Sequence, residues 1–225
     1  MKNNYIFKKE ILLIFISIFY SCSQEFEKDS VRLVLTGSVH GQLDPCGWKK
    51  NPLGGLPRRY TKINEMRDNG ENLIVLDAGD MFYSTNKINN NNIKSEKHRC
   101  ATMLQAYNKI GYDGINIGNY ELLTGIKYLI DLQNKYPSLS FLSANIKSKS
   151  TNEFIFNPYK IVKRGSLDIG VIGVTNMVPD TMNTIKVDDY IKAGNDQINK
   201  IKDKVDIVVM LVNSDRSTHN SLPDK

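Results

Sequence analysis

Short runs of β-branched and aliphatic residues alternate along most of this chain with segments of helical periodicity, and that alternation restricts it to an α/β fold in which strands feed helices. The predicted buried strands are residues 31–36, 72–77, 114–117 and 206–212. Between the first two, Leu56, Tyr60, Ile63 and Met66 recur at helical spacing. Pro57 stands near the start of that stretch and Gly70 just past its end, where each residue favours a helix boundary. A second helix is expected over residues 95–110, stopped by Gly111, and a third through Tyr128 as far as Tyr136-Pro137. Residues 159–162 and 168–174, joined across Lys163-Arg164-Gly165-Ser166, read as an antiparallel hairpin, so the expected sheet is mixed. The one low-complexity tract, residues 89–92, is expected to be a mobile loop.

The chain begins with a basic stretch ending in Lys8-Lys9, continues with the uncharged apolar run 11–20, and reaches Ser21-Cys22. Positive, apolar, small is the order of a secretory signal. The run covers about half of the ~20 residues that a membrane-spanning helix needs. In Phe19-Tyr20-Ser21-Cys22 the small residues of a plain signal peptidase site are not both present and a cysteine stands at the cut, which resembles a bacterial lipobox. On that reading residues 1–21 are a lipoprotein-type signal, Cys22 is the lipid attachment site, 22–30 form a polar tether, and 31–225 are one domain. The domain is then held at the cell envelope by its lipid, facing periplasm or exterior, with the membrane as its partner. An ordinary signal with an incidental cysteine and an N-terminal anchor helix are the alternatives. Cys46 and Cys100 remain as an even pair, either bridged or free, and Cys100 shares an apolar helical face with Met103, Leu104 and Tyr107.

The formal charge of +6 includes three lysines and one glutamate of the signal, and the remainder is spread without a long basic block. No nucleic acid polymer is expected as a partner on this balance.

Strand ends are where α/β folds place their chemistry, because side chains there project into the crevice between loops and helix N-termini. Four ends are informative: Thr36-Gly37-Ser38-Val39-His40-Gly41, Leu76-Asp77-Ala78-Gly79-Asp80, Gly118-Asn119-Tyr120-Glu121, and Leu211-Val212-Asn213. In order and spacing they resemble the calcineurin-like metallophosphoesterase pattern of Asp-x-His-Gly, Gly-Asp, Gly-Asn-His-Glu and a later strand-end histidine, in its 5′-nucleotidase form. Phe141-Leu142-Ser143-Ala144-Asn145 and Ile169-Gly170-Val171-Ile172-Gly173-Val174-Thr175 look like strand segments that 5′-nucleotidases carry between the third and fourth blocks. The resemblance covers about residues 31–215. It implies an α/β metallophosphoesterase-type sandwich, a mixed sheet flanked by helices, incomplete at the C-terminus.

In such a site two divalent cations share one carboxylate, and a bridging hydroxide attacks phosphorus while the metals neutralise the developing charge. Mn, Zn or Fe suit the oxygen and imidazole ligands. The resemblance assigns His40 to the first metal, Asp80 to the bridge and Asn119 to the second. Other roles are unfilled. Ser38 replaces the first aspartate and Tyr120 the histidine of the third block, and a phenol of pKa about 10 suits proton transfer poorly near neutrality. Leu123 stands where that histidine's aspartate partner is expected, Asn213 where a metal-binding histidine is expected, and the later Gly-His-x-His segment has no counterpart before Lys225.

Losing charged ligands sharply lowers affinity for dications. The expectation is a degenerate, non-catalytic domain with a binding or structural role, no resident cofactor, and His40, Asp80 and Asn119 as residual ligands. If the chain is active, it is a two-metal phosphoesterase acting on nucleotides or related esters. A remnant of a disrupted phosphoesterase is the third reading. Structural roles compete for each survivor: His40-Gly41 as a tight turn, Asp80 as a cap, Asn119 as a bend. Asp44, Asp215 and His219 are weighed as substitute ligands against plain solvation. The stretch 44–59 contains Trp48, Gly54-Gly55 and the pair Arg58 and Arg59, candidates for an anion contact at a rim, against solvated arginines at a helix start. An uncovered edge beside residues 208–212 is expected to recruit a second copy or a partner chain.

Overall fold

A strand of five residues, β1 (Arg32–Thr36), opens a four-stranded sheet that continues with β2 (Leu73–Asp77), β3 (Gly114–Asn116) and β4 (Phe141–Leu142), in that spatial order and all parallel. In this computed structural model residues 30–47, 53–180 and 182–214 are described. The signal segment, Cys22, most of the tether, Trp48, Asp215 and His219 lie outside the described residues. A compact unit begins at Val31.

Parallel neighbours need crossovers, and here α1 (Leu56–Asp68), α2 (Ile93–Ile110) and α3 (Ile126–Lys135) supply them. Their apolar faces join one face of the first sheet in a core around Ile63, Val75, Met103, Leu104, Ile115, Leu129 and Phe141. Every residue of β2 is buried, as a strand covered on both faces must be. Pro57 lies in the first turn of α1, and α2 stops at Gly111, whose φ of 78° a residue with a Cβ adopts at a cost. The Asn tract expected as a mobile loop is a hydrogen-bonded entry to α2. The Asn89 carbonyl accepts from the Ile93 amide at 2.9 Å, and the Asn92 side chain accepts from the Asn89 amide at 2.8 Å and donates to the Lys87 carbonyl at 2.8 Å.

Beyond β4 a two-stranded ribbon pairs β5 (Ile146–Ser148) with β8 (Ile185–Val187). A second sheet holds β6 (Tyr159–Arg164), β7 (Leu167–Thr175) and β9 (Ile207–Asn213), with β6 antiparallel and β9 parallel to the central β7. The expected sandwich is thus two stacked sheets, one wholly parallel and one mixed, with the hairpin in the mixed one. The period of two along β7 shows why. Ile169 and Val171 pack with Ile74, Leu76 and Leu142 between the sheets, whereas Ile172 and Val174 pack with Ile201 of α4 (Tyr190–Ile201) on the far side. Cys100 is buried and Cys46 exposed, both as free thiols.

The sheets approach closely at Gly173. Its carbonyl accepts the Ala144 amide at 2.7 Å, and a Cβ added there would sit 2.5 Å from Asn116 Oδ1 and 2.6 Å from the Leu142 carbonyl oxygen. Backbone on one side and a buried amide on the other leave little room to yield. Gly173→Ala is expected to destabilise the fold by about 2 kcal/mol or more. Urea denaturation of the variant beside the parent measures it.

Candidate functional site

The ends of β1 and β2 are laced together by backbone hydrogen bonds that continue past both strands. Ala78 donates to the Thr36 carbonyl at 2.7 Å, Ser38 to Gly79 at 2.8 Å, His40 to Asp80 at 2.9 Å and Gly41 to Met81 at 2.9 Å. To keep this ladder while turning, Ser38, His40 and Asp80 take φ of 51°, 48° and 58°. Non-glycine residues enter that left-handed region at a cost, and such residues gather at functional loops.

Glu121 ties the third block to this pair of loops. Its Oε2 accepts the amides of Asp80 at 2.9 Å and Gly118 at 2.8 Å, and its Oε1 those of Met81 at 2.8 Å and Phe82 at 3.2 Å. The side chain is wholly buried. Burial, with the negative charge of Asp80 next in importance, pushes its carboxyl up to about 7 despite the amides that favour ionisation.

Asp80 faces the crevice half-buried, and both its oxygens are engaged. Oδ1 accepts the Tyr120 amide at 2.9 Å, and Oδ2 accepts Asn213 Nδ2, from the end of β9, at 2.9 Å. Asn213 Oδ1 in turn accepts Thr175 Oγ1 at 3.3 Å. Gly118 passes so close that a Cβ on it would lie 2.6 Å from Asp80 Oδ1 and 2.7 Å from Asn213 Nδ2. The His40 ring packs at 4.4 Å on Tyr120, tilted by 57°, and its Nδ1 is buried without a hydrogen-bond partner. Asn119 is half-buried and opens a 3₁₀ turn, Tyr120–Leu122, its carbonyl accepting the Leu122 amide at 3.2 Å. All four strand ends therefore meet in one crevice, with His40, Asp80 and Asn119 on adjoining loops.

The paired arginines part company. Arg58 is exposed on α1. Arg59 turns inward, donates from Nη1 to the Tyr107 hydroxyl at 3.0 Å and the Tyr112 hydroxyl at 3.1 Å, and lies 5.6 Å from the Tyr107 ring centre. The two tyrosine rings stack at 3.9 Å. Tyr107 donates to Asp77 Oδ2 at 2.8 Å, and Asp77 also accepts Thr36 Oγ1 at 2.5 Å and the Gly79 amide at 2.9 Å. Nη1 of Arg59, a candidate for an anion contact, is thus engaged within the protein, and the same network steadies the Gly79-Asp80 turn. Burial raises the Asp77 carboxyl above the usual range. The positions of Glu121 and Asp77 at strand ends were visible in the sequence, but their buried amide and hydroxyl partners are contributed by other segments.

Among the described residues of the four strand ends, His40 and Asp80 bring an imidazole and a carboxylate to the crevice. Asn119, Asn213 and Ser38 are neutral, and no cluster of three or more His, Cys, Asp or Glu able to hold a metal exists among the described residues. Glu121 cannot substitute, because its oxygens are committed to four amides. This donor set does not fit a pair of dications.

No protein-family model matches the chain. A snake venom 5′-nucleotidase of Gloydius brevicauda is 35% identical over 127 residues, spanning 54% of this chain and 20% of the relative. The Bos taurus 5′-nucleotidase is 28% identical over 182 residues, 74% of this chain and 30% of that one. Among solved structures, a 5′-nucleotidase precursor from Thermus thermophilus aligns with a TM-score of 0.69 at 24% identity, covering 80% of this chain and 36% of the other. The calcineurin-like phosphoesterase YfkN from Bacillus subtilis aligns at 0.61 and 21%, covering 80% and 60%. The chain spans less than a third of the length of these curated relatives.

Titration of Glu121 gives a test of the clamp. Its carboxyl is raised from 4.5 to about 7 in the folded protein. Between those values the unfolded chain releases a proton that the folded one keeps, so this group's contribution is fully present below the lower value and is lost as pH rises through the upper one. Glu121→Gln is expected to abolish that slope. It should also cost about 2 kcal/mol or more at every pH, since an amide nitrogen would face backbone donors. Urea midpoints across the pH range measure both effects.

Proposed function

For a chain related to the 5′-nucleotidases and built on the calcineurin-like phosphoesterase fold, we propose a non-catalytic role at the cell envelope, lipid-anchored through Cys22 and acting by binding or as a structural element. The observation that supports this most directly is the state of Asp80. Where the resemblance expects a carboxylate shared by two cations, this one is held by the Tyr120 amide and Asn213 Nδ2. Asn213 stands at the position of an expected metal-binding histidine and donates a hydrogen bond to the carboxylate. A neutral amide therefore does locally what the cations would do, satisfying the lone pairs of Asp80 with no bound charge.

The chemistry needed for turnover is also lacking at the neighbouring position. Tyr120 presents a phenol packed at a tilt against His40, where the resemblance expects a histidine. An anion docked in the crevice would meet the negative charge of Asp80, while Nη1 of Arg59 is engaged by Tyr107 and Tyr112 and Nη1 of Arg99 by the Gly41 carbonyl. A phosphate ester is thus an unfavourable ligand there without cations.

Metal analysis of the purified protein, with phosphomonoester and phosphodiester hydrolysis assayed in added manganese, is the deciding experiment. Neither bound metal nor turnover is expected, and two tightly held metals with turnover would overturn the reading. Chelator treatment is expected to leave the melting temperature unchanged, since a ligand that binds the folded state must stabilise it by mass action. Asp80→Asn is expected to change stability by on the order of 1 kcal/mol, the scale of one exchanged hydrogen bond. The anchoring is tested by metabolic labelling with a fatty acid: the parent should take up label and Cys22→Ala should not.

A further inference from the structure

Between the β5–β8 ribbon and the first turns of α4 lies a cavity of about 280 Å³ that shares no residue with the crevice at the strand ends. Lys147 of β5 and Phe154, which bridges to it, line the ribbon side. Lys192 and Asp196, one turn apart, line the helix side with Gln197 next to them. The buried Asn145 holds these two sides together. Its Nδ2 donates to the Thr175 carbonyl at 2.6 Å and the Asp188 carbonyl at 3.0 Å, and the Asp188 amide donates to the Asn145 carbonyl at 2.9 Å. The Asp188-Asp189 turn that starts α4 is thereby fixed beside the end of β4, and the cavity is formed without a ligand.

The charges around it are balanced and paired. Lys147 meets Asp188 at 2.7 Å, Lys186 meets Asp188 at 2.8 Å and Lys192 meets Asp196 at 3.2 Å, while Asp189 caps α4 by accepting the Lys192 amide at 2.7 Å. A charged ligand would have to compete with these pairs, whereas hydroxyl groups can add to them, because carboxylate oxygens and ammonium hydrogens keep spare capacity. The aspartates do not make a cation site: among the described residues no three His, Cys, Asp or Glu side chains gather to hold a metal. Two groups remain unspent. Gln197 is 2% exposed and accepts Lys200 Nζ through Oε1 at 3.4 Å, but its amide nitrogen has no hydrogen-bond partner among the described residues. A buried donor of that kind is costly unless something in the cavity accepts from it. Phe154 is 37% exposed, with the Lys147 ammonium 4.9 Å from its ring centre.

We infer that this cavity binds one uncharged, polyhydroxylated ring of the size of a single hexose. Its hydroxyls accept from Gln197 and Lys147 and donate to Asp188 and Asp196, and its C–H face packs on the Phe154 ring. At roughly 30 Å³ per water, a volume of about 280 Å³ corresponds to about nine waters, room for one such ring. The site is separate from the role proposed for the crevice and does not depend on whether the crevice holds metal.

Calorimetric titration of glucose and galactose into the purified protein is the test, with the corresponding uronates and amino sugars as charged probes of the same rings. Saturable one-to-one binding of at least one neutral sugar is expected, with its charged counterparts at least fivefold weaker. Gln197→Leu and Phe154→Ser should each weaken that binding at least fivefold, while Ile130→Ser, at an exposed position on α3, should not. Phe154 is partly exposed, so its variant tests the cavity even where Gln197→Leu disturbs folding, which circular dichroism reports. The methyl glycoside of the bound sugar separates two sources of the same chemistry: equal binding assigns the cavity to the end of a glycan chain, and exclusion assigns it to a free monosaccharide, both in support of the inference. Absence of saturation by either neutral sugar, binding indifferent to the cavity variants, or tighter binding of a charged probe overturns it.

Discussion

The crevice depends on one buried carboxylate accepting four backbone amides. Glu121 gathers the N–H groups of Asp80, Met81 and Phe82 from one loop and that of Gly118 from another, and without it those donors would be buried and unsatisfied. A single side chain thereby fixes the spacing between the ends of β2 and β3. The backbone ladder from Ser38 to Gly41 fixes the end of β1 against the same loop. Left-handed residues at 38, 40 and 80 are tolerated because these bonds over-determine their conformation.

Such a clamp has an electrostatic cost. The negative charge of Asp80 adds to burial in opposing ionisation of Glu121. Glu121 answers by holding its proton more tightly, while Asp80 is supported by Asn213 and the Tyr120 amide. Farther back, Arg59 reaches Asp77 through the hydroxyl of Tyr107, and through that of Tyr112 by way of Thr36. Thr36, Tyr107, Asn213 and the Tyr120 amide are thus used in stabilising Asp77 and Asp80.

The sequence carried the strands and helices well, because period and boundary residues are local: Pro57 and Gly111 sit where the helix ends require them. It placed the hairpin in a mixed sheet of a sandwich but did not assign the faces of its strands to layers. β7 is buried on both faces, so its sequence is a continuous apolar run that does not say which residues face which layer. The four strand-end blocks were legible as one crevice. The inward turn of Arg59 was not, since Arg58 and Arg59 look alike until Tyr107 and Tyr112 arrive from another element. The role of Asn213 was hidden for the same reason: a strand-end asparagine reads as a lost histidine until Asp80 Oδ2 is found 2.9 Å away.

That arrangement explains how the site's chemistry and its shape can part. The positions of the strand ends are set by main-chain bonds and by Glu121, none of which needs a metal or the side chains of residues 38, 120 and 213. Ser38 uses its amide in the ladder and Tyr120 uses its amide on Asp80, so a change of side chain at either leaves the hydrogen bond that positions the loop in place. Asn213 goes further and supplies a donor of its own. A crevice built in this way keeps its form when ligand side chains are exchanged for neutral ones. Its left-handed turns therefore record the geometry of the fold, and the chemistry must be read from the charges that remain: one imidazole and one carboxylate already satisfied by neutral donors.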